Sequence, residues 1–336
     1  MDYTGYARGS GSSFQIGLET EYGVKVEPTE QINFLNESIT LDVIRESEES
    51  LLMAKTIRSK DVMGYSSGGD FSVILKPENI KPLLYLSLGK EEYPELKSGT
   101  TGVYKHSFTL TEPDETLPSF TAVIDRKFAV PAYTGLKVSS FSLEAQSADY
   151  IRSSLSLQGS GKEEEGEVVT LPIPTLKAFR FVNGSLTLDG VEFGEVSSVK
   201  LDINNQLDEG DFTLGSGYYR SEGQHNEREV SISIDCFYNA KSNTIRENKY
   251  KTDGATANII LTFESPEEIE TGEKIRFEVI LPNVVITEAN PNVSGKEKIE
   301  LTLEGMALEG IETEPITINV FDGDEEKAFS PPAIVE

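Results

Sequence analysis

Across 336 residues there is one cysteine, Cys236, two histidines, His106 and His225, and no tryptophan. A lone cysteine excludes an intrachain disulfide and any cysteine-based zinc site. Two histidines leave most metal and acid–base schemes short of parts. Basic residues are also scarce: 30 Lys and Arg stand against 57 Asp and Glu, a net charge of −27. Binding nucleic acid by phosphate neutralisation needs clustered cations, so that class is excluded. Such acidity suits a soluble surface, or a passage that repels the phosphates beside it. No apolar run approaches the roughly 18 residues of a membrane span, so no membrane insertion is expected. The opening MDYTGYARGSGSSFQ has no basic region ahead of an apolar core, which predicts a chain without a signal peptide that stays in a reducing cytoplasm.

What is abundant is alternation of apolar and polar residues at period two, the pattern of half-buried strands. It is clear at Ser38–Val43 (SITLDV), Phe71–Leu75 (FSVIL), Tyr104–Leu110, Leu136–Leu143, Val199–Ile203, Val230–Ile234, Ile259–Phe263, Lys274–Ile280 and Ile316–Val320. Turn formers such as Asn183-Gly184, Asp189-Gly190 and Asp322-Gly323 separate these runs. Helical patterning is scarce, and its best candidate is Glu78–Leu88 (ENIKPLLYLSL), which contains Pro82. The fold class expected is all-β with a short helix in each half. Gln158–Glu167 (QGSGKEEEGE) reads as a solvated linker, in which Glu163, Glu164 and Glu165 repel one another rather than bind a cation.

The chain also carries a weak internal repeat. SITLDV at 38–43 matches SVKLDI at 198–203, and FSVIL at 71–75 matches VSISI at 230–234. SSLSLQG at 153–159 matches IELTLEG at 299–305. An acidic, Gly- and Ser-containing stretch lies between the first two members of each half, at 44–70 and at 204–229. This predicts two similar β domains: residues 1–160, with an N-terminal arm at 1–30, and residues 178–336, joined by a linker at 161–177.

Phe14–Pro28 (FQIGLETEYGVKVEP), Glu37–Val43 (ESITLDV), Gly184–Gly190 (GSLTLDG), Val196–Asn205 (VSSVKLDINN) and Glu229–Asp235 (EVSISID) together resemble siphophage tail tube proteins. The resemblance spans nearly the whole chain through strand patterns in order, not through an invariant signature. It implies a β-sandwich or small barrel in each half with a flanking helix. Six such domains would surround a lumen, so three chains would complete a pseudo-hexameric ring, and rings would stack into a non-contractile tail tube. Implied partners are further copies of the chain, a tape-measure protein in the lumen, the tail's terminator and tip proteins, and genomic DNA that passes without specific binding. The implied place is the virion tail, assembled in the host cytoplasm.

Under that reading the polar sides of the inner strands, Thr40, Asp42, Ser72, Asp202, Asn204, Ser231, Ser233 and Asp235, line the lumen. Without it they are an ordinary solvent face. Apolar residues in the two long stretches, Leu51, Leu52, Met53 and Ile57 and then Phe212, Leu214, Tyr218 and Tyr219, either close a satellite core or contact a neighbouring subunit. No catalytic, cofactor or metal residues are expected. Gly9-Ser10-Gly11 and Gly159-Ser160-Gly161 lack the lysine of a phosphate loop. Asp322, Asp324, Glu325 and Glu326 lack calcium-hand spacing. His106 and Cys236 read as structural. A two-domain adhesin or glycan-binding β-sandwich is the alternative, and would predict an export signal and exposed aromatics.

Overall fold

Alternation at period two places a core row on one side of each strand, and the computed structural model, which describes residues 6–48, 56–57, 59–291, 293, 296, 298–311 and 313–329, is built from such strands. The first half runs β1 (Ser13–Leu18), β2 (Glu30–Ile32), β3 (Phe34–Glu37), β4 (Thr40–Glu46) and β5 (Asp61–Ile74), then helix α1 (Pro77–Leu88). It continues with β6 (Gly89–Glu91), β7 (Glu95–Leu96), β8 (Tyr104–Leu110), β9 (Phe120–Asp125), β10 (Pro131–Gln146), β11 (Arg152–Gly159) and β12 (Lys162–Glu165). The second half has β13 (Gly184–Leu188), β14 (Val191–Glu192), β15 (Val196–Asn204), β16 (Glu229–Phe237) and α2 (Ala240–Ile245). It ends with β17 (Ala257–Glu270), β18 (Glu273–Glu288), β19 (Glu300–Ala307) and β20 (Thr317–Asp322).

All the ladders are antiparallel, and the main one crosses from half to half. β4, β5, β11 and β10 are neighbours in that order. β10 then pairs with β15 from Ser140↔Asn204 to Gln146↔Ser198, and β16, β19 and β18 follow. The halves are thus parts of one large antiparallel sheet. The long strands β10 and β18 each take part in further ladders. At its other end β10 pairs with β9 and β12, and β18 pairs with β17 and β20. β8 of the first half adds to β20 of the second, from Thr109↔Thr317 to Tyr104↔Asp322.

The core lies on one side of the main sheet. Phe71, Val73, Phe141, Leu143, Leu155, Leu201, Ile203, Ile232, Ile234, Leu301 and Leu303 are all buried, each contributing roughly 1.5–3 kcal/mol of transfer free energy. Helix α1 lies against β10 and is buried nearly all round, through Ile80, Leu83, Leu84, Leu86 and Leu88. Pro77 opens it with a preset φ, and Gly89 (φ +95°) closes it in the left-handed region. Pro82 sits inside an unbroken helix. In the second half α2 is only six residues, capped by Asn239, and a π turn, Arg246–Tyr250, follows it.

Three segments hold more strand than their composition suggested. The N-terminal arm at 1–30 contains β1, whose Phe14 and Ile16 are fully buried. The acidic run read as linker forms β12, with Glu163 opposite Tyr133 and Glu164 opposite Ala132. The long stretch at 44–70 has strand at both ends: β4 continues to Glu46 and β5 begins at Asp61. Its glycines serve close approach rather than looping. Gly69 has φ +141°, and a Cβ there would lie 2.4 Å from the carbonyl oxygen of Ser38, where the chain crosses from β3 to β4. Ser38 is fixed there by its N–H on the Asp70 carbonyl, and its hydroxyl accepts from the Asp70 N–H. Gly69→Ala should therefore destabilise the fold by about 2 kcal/mol or more in urea unfolding, because the conformation is strained and a backbone must move.

Candidate functional site

Residues opposite one another in a ladder share a face. Ser72 stands opposite Ser154, Ser154 opposite Ser142, Ser142 opposite Asp202, Asp202 opposite Ser231 and Ser231 opposite Met306. Asn204, Ser233 and Asp235 lie in the adjacent rows of that face, and Thr40 and Asp42 join it through Gly68 and Ser66 of β5. All eight sequence-expected residues therefore occupy the same side, away from the core. Asp70, Ser140, Ser142, Ser154, Ser156 and Glu304 share it. The alternating serines of SSFS (139–142) and SSLS (153–156) signalled four of these.

The face is hydroxyl-rich and acidic. Its Lys200 is held by Asp202 (2.8 Å), and Arg152 by Asp149 (3.1 Å). Asp235 accepts from Ser198 and Thr302 (both 2.6 Å). These two cations are thus already bonded to carboxylates of the same chain.

The two ends of the sheet are less complete than its middle. Among the described residues β4 is paired on one side only, by β5, and Leu41 and Val43 are half-buried. Their counterparts beside the β10–β15 junction, Leu201 and Ile203, are fully buried. At the other end Glu300–Leu303 of β19 pair with β16, while β18 reaches only Glu304–Ala307. Open strand edges recruit further strands.

The long stretch of the second half, residues 205–228, reaches back over the first. The Tyr65 N–H donates to the Tyr218 carbonyl (2.8 Å) and the Arg220 N–H to the Ser160 carbonyl (3.1 Å). Tyr219 stacks on Tyr65 (5.8 Å between ring centroids) and Tyr218 meets the same ring edge-on (5.9 Å). Phe212 covers Gly64, where any Cβ would lie 2.6 Å from its ring. Lys137 is bound by Glu222 (2.7 Å) and donates to the Gly223 carbonyl (3.0 Å). Phe212, Tyr218 and Tyr219 thus contact the other half of their own chain, and Leu214 is fully exposed. Ile57 is exposed too (72%), while Leu51, Leu52 and Met53 lie outside the described residues.

The groups a catalyst would use are committed elsewhere. Burial, with Asp235 and Glu195 nearby, pushes the Cys236 thiol up to about 12, and it donates to the Leu301 carbonyl (3.3 Å). A thiol so rarely ionised is no nucleophile. His106 is fully buried between Glu91 (3.0 Å to Nδ1) and Asp322 (3.1 Å to Nε2). Lys81 of α1 completes the cluster, 3.0 Å from Asp322 and 2.8 Å from Asp324. Burial alone would lower the histidine's pKa, but its bonds to Asp322 and Glu91 outweigh that and raise it to about 9. The acidic C-terminal turn, weighed above as a cation loop, thus has two of its carboxylates engaged by the chain's own cations.

What remains is a wall: an apolar side packed on a helix, a wet acidic side, and two unfinished edges. Comparison with curated proteins finds no match. The model of the family described as phage tail tube protein matches residues 9–307, nearly the whole chain. The chain belongs to the phage tail tube protein family and is a non-enzymatic structural component of the tail tube in the virion.

Proposed function

We propose that each chain supplies two adjacent places in the tube wall, its halves being two copies of one β unit. Three chains would then close a pseudo-hexameric ring of a long, non-contractile siphophage tail. The observation that carries this reading is the β10–β15 ladder, seven residue pairs along which the sheet of one half continues into that of the other. A ring needs that same contact between chains, and β4 with half-buried Leu41 and Val43 supplies a suitable edge.

The order of neighbours supports the duplication: β4, β5, β11, β10 in one half and β15, β16, β19, β18 in the other. The helix follows the second of these strands in both. Thr40, Asp42, Ser72, Asp202, Asn204, Ser231, Ser233 and Asp235 then face the lumen. Hydroxyls and carboxylates there offer no free cation to a phosphate, so DNA slides past. The tape-measure protein would occupy the lumen before DNA, and terminator and tip proteins would cap the tube's ends. Subunits would assemble in the host cytoplasm.

Negative-stain electron microscopy of concentrated protein, with mass photometry of the dilute sample, tests the reading. Hollow filaments of regular axial repeat fed by trimers are expected. Filaments built from six chains per ring would overturn the two-places-per-chain reading.

A further inference from the structure

The second half's long stretch rests on the first half at a definite place, and among the described residues no such stretch covers the corresponding place on the second half. Ladder register identifies it. Val43 stands opposite Tyr65 and Ile203 opposite Val230, so Val230 corresponds to Tyr65. Ser67 stands opposite Gly159 and Ile232 opposite Gly305, so Met306 corresponds to Ser160. Tyr65 and Ser160 are the two residues whose backbones bind Tyr218 and Arg220. Val230 and Met306 line a cleft of about 690 Å³, within the roughly 300–1,000 Å³ of sites that enclose a ligand. Leu308 beside them is exposed, as is Met306 itself.

We propose that this cleft receives residues 54–60 of the next chain in the ring, the segment that precedes β5 in sequence. The proposal rests on the ring reading above, and names the seat of one contact within it. Position favours this occupant: Lys55 precedes Tyr65 by the same ten residues that separate Arg220 from Val230. Charge favours it as well. The arm AKTIRSK carries Lys55, Arg58 and Lys60 around Ile57. The cleft carries Glu112 (bonded to Lys90, 3.2 Å), Glu227, Glu229, Glu309 and Glu314, with Arg228 and His225 as its basic residues. Arg228 is turned inward, donating to the carbonyls of Thr111 (2.5 Å) and Leu88 (3.3 Å). Burial and the neighbouring Glu112 hold the Glu314 carboxyl above its ordinary range, a condition that an incoming cation relieves.

Within the chain the polarity is opposite. There an acidic residue of the arriving stretch, Glu222, binds a lysine of the seat, Lys137. A basic arm therefore fits the second half's seat and an acidic one the first half's. The reversal makes each half choose the other kind as its neighbour and suppresses a ring closed half against like half, since wrong charge pairing is penalised more than right pairing is rewarded.

Two single-cysteine chains in a Cys236→Ala background, Ile57→Cys and Met306→Cys, test this when mixed and treated with a short bismaleimide. Cross-linked dimers on a denaturing gel are expected from the mixture and not from either chain alone. Hollow tubes without cross-linked pairs would overturn the docking and leave the ring reading intact. Cross-linked pairs without tubes would keep the docking and sink the ring. Absence of both overturns both. Separately, Glu309→Lys with Glu314→Lys should raise the concentration at which tubes appear by at least about tenfold, as one misplaced charge contact of about 1.4 kcal/mol would. Adding Lys55→Glu and Arg58→Glu should restore it. Failure of that restoration, in variants whose melting is unchanged, counts against the proposed seat.

Discussion

His106→Ala should lower the free energy of unfolding by about 3–5 kcal/mol, the range for breaking a buried ion pair and leaving a charge uncompensated. The loss should be visible as an earlier midpoint in guanidinium at neutral pH. Glu91 and Asp322 flank the imidazole, and Lys81 holds Asp322 and Asp324 from the helix side. Removing the ring takes the imidazole from buried Glu91 and leaves Asp322 to Lys81. The same cluster sets an alkaline limit. His106 titrates at about 9 in the folded chain against 6.5 ordinarily. Its contribution is therefore complete below about pH 6.5 and lost as pH rises through 9. That difference is worth roughly 3 kcal/mol. Unfolding measured from pH 6 to 10 should fall steeply in the parent chain and much less in His106→Gln. Equal slopes in the two would remove the histidine from the account.

Glu19→Ala should destabilise by a similar amount, roughly 3–5 kcal/mol, since several buried donors lose their acceptor together. One carboxylate oxygen of Glu19 accepts from the Gly23 N–H (2.9 Å) and the Ser119 hydroxyl (2.8 Å). The other accepts from the Thr121 hydroxyl (2.9 Å) and the Gly135 N–H (2.8 Å). Four donors from three segments thus converge on one side chain that is nearly buried (8% exposed). Glu19→Gln retains one acceptor oxygen and places an NH2 group against donors, so it should lose about half as much. Chemical denaturation of the three proteins checks the order. A Gln variant as poor as Ala would mean that the charge, not the count of acceptors, dominates.

The strands were legible where Val, Ile, Leu and Phe alternate with polar residues, as in SVKLDI and VSISI. They were illegible where strand contacts are made by glycine and serine. Asp61–Asp70 (DVMGYSSGGD) has turn composition, yet it is the first part of β5. Gly64 and Gly69 are there because Phe212 and the Ser38 carbonyl come too close for a Cβ. The same misreading displaced the internal repeat. Leu41 faces Ser67 and Leu201 faces Ile232, so the ladders set Ser67 against Ile232, six residues from the Val73 that composition suggested. β12 was hidden because three consecutive glutamates look solvated, and as an edge strand they largely are. The shared polar face was readable from parity within each strand. The reach of Tyr218 and Tyr219 to Tyr65 was not, since no local pattern encodes a contact between segments so distant in the chain.

The handshake between β8 and β20 bears on when a subunit becomes usable. Ser107 and Asn319 meet across it (2.8 Å) although 212 positions separate them. β8 can pair early with β6 and β7, but this ladder must wait until β20 has been made. Contacts of such long sequence separation form late, because loop closure precedes any gain from them. A chain released before Thr317 would carry the β10–β15 junction without the strand that joins β18 to β8. Synthesis of β20 is thereby a checkpoint within the subunit: a fragment that stops short of it is expected to leave β8 and β18 without that partner strand, and so to offer a growing filament an unfinished wall.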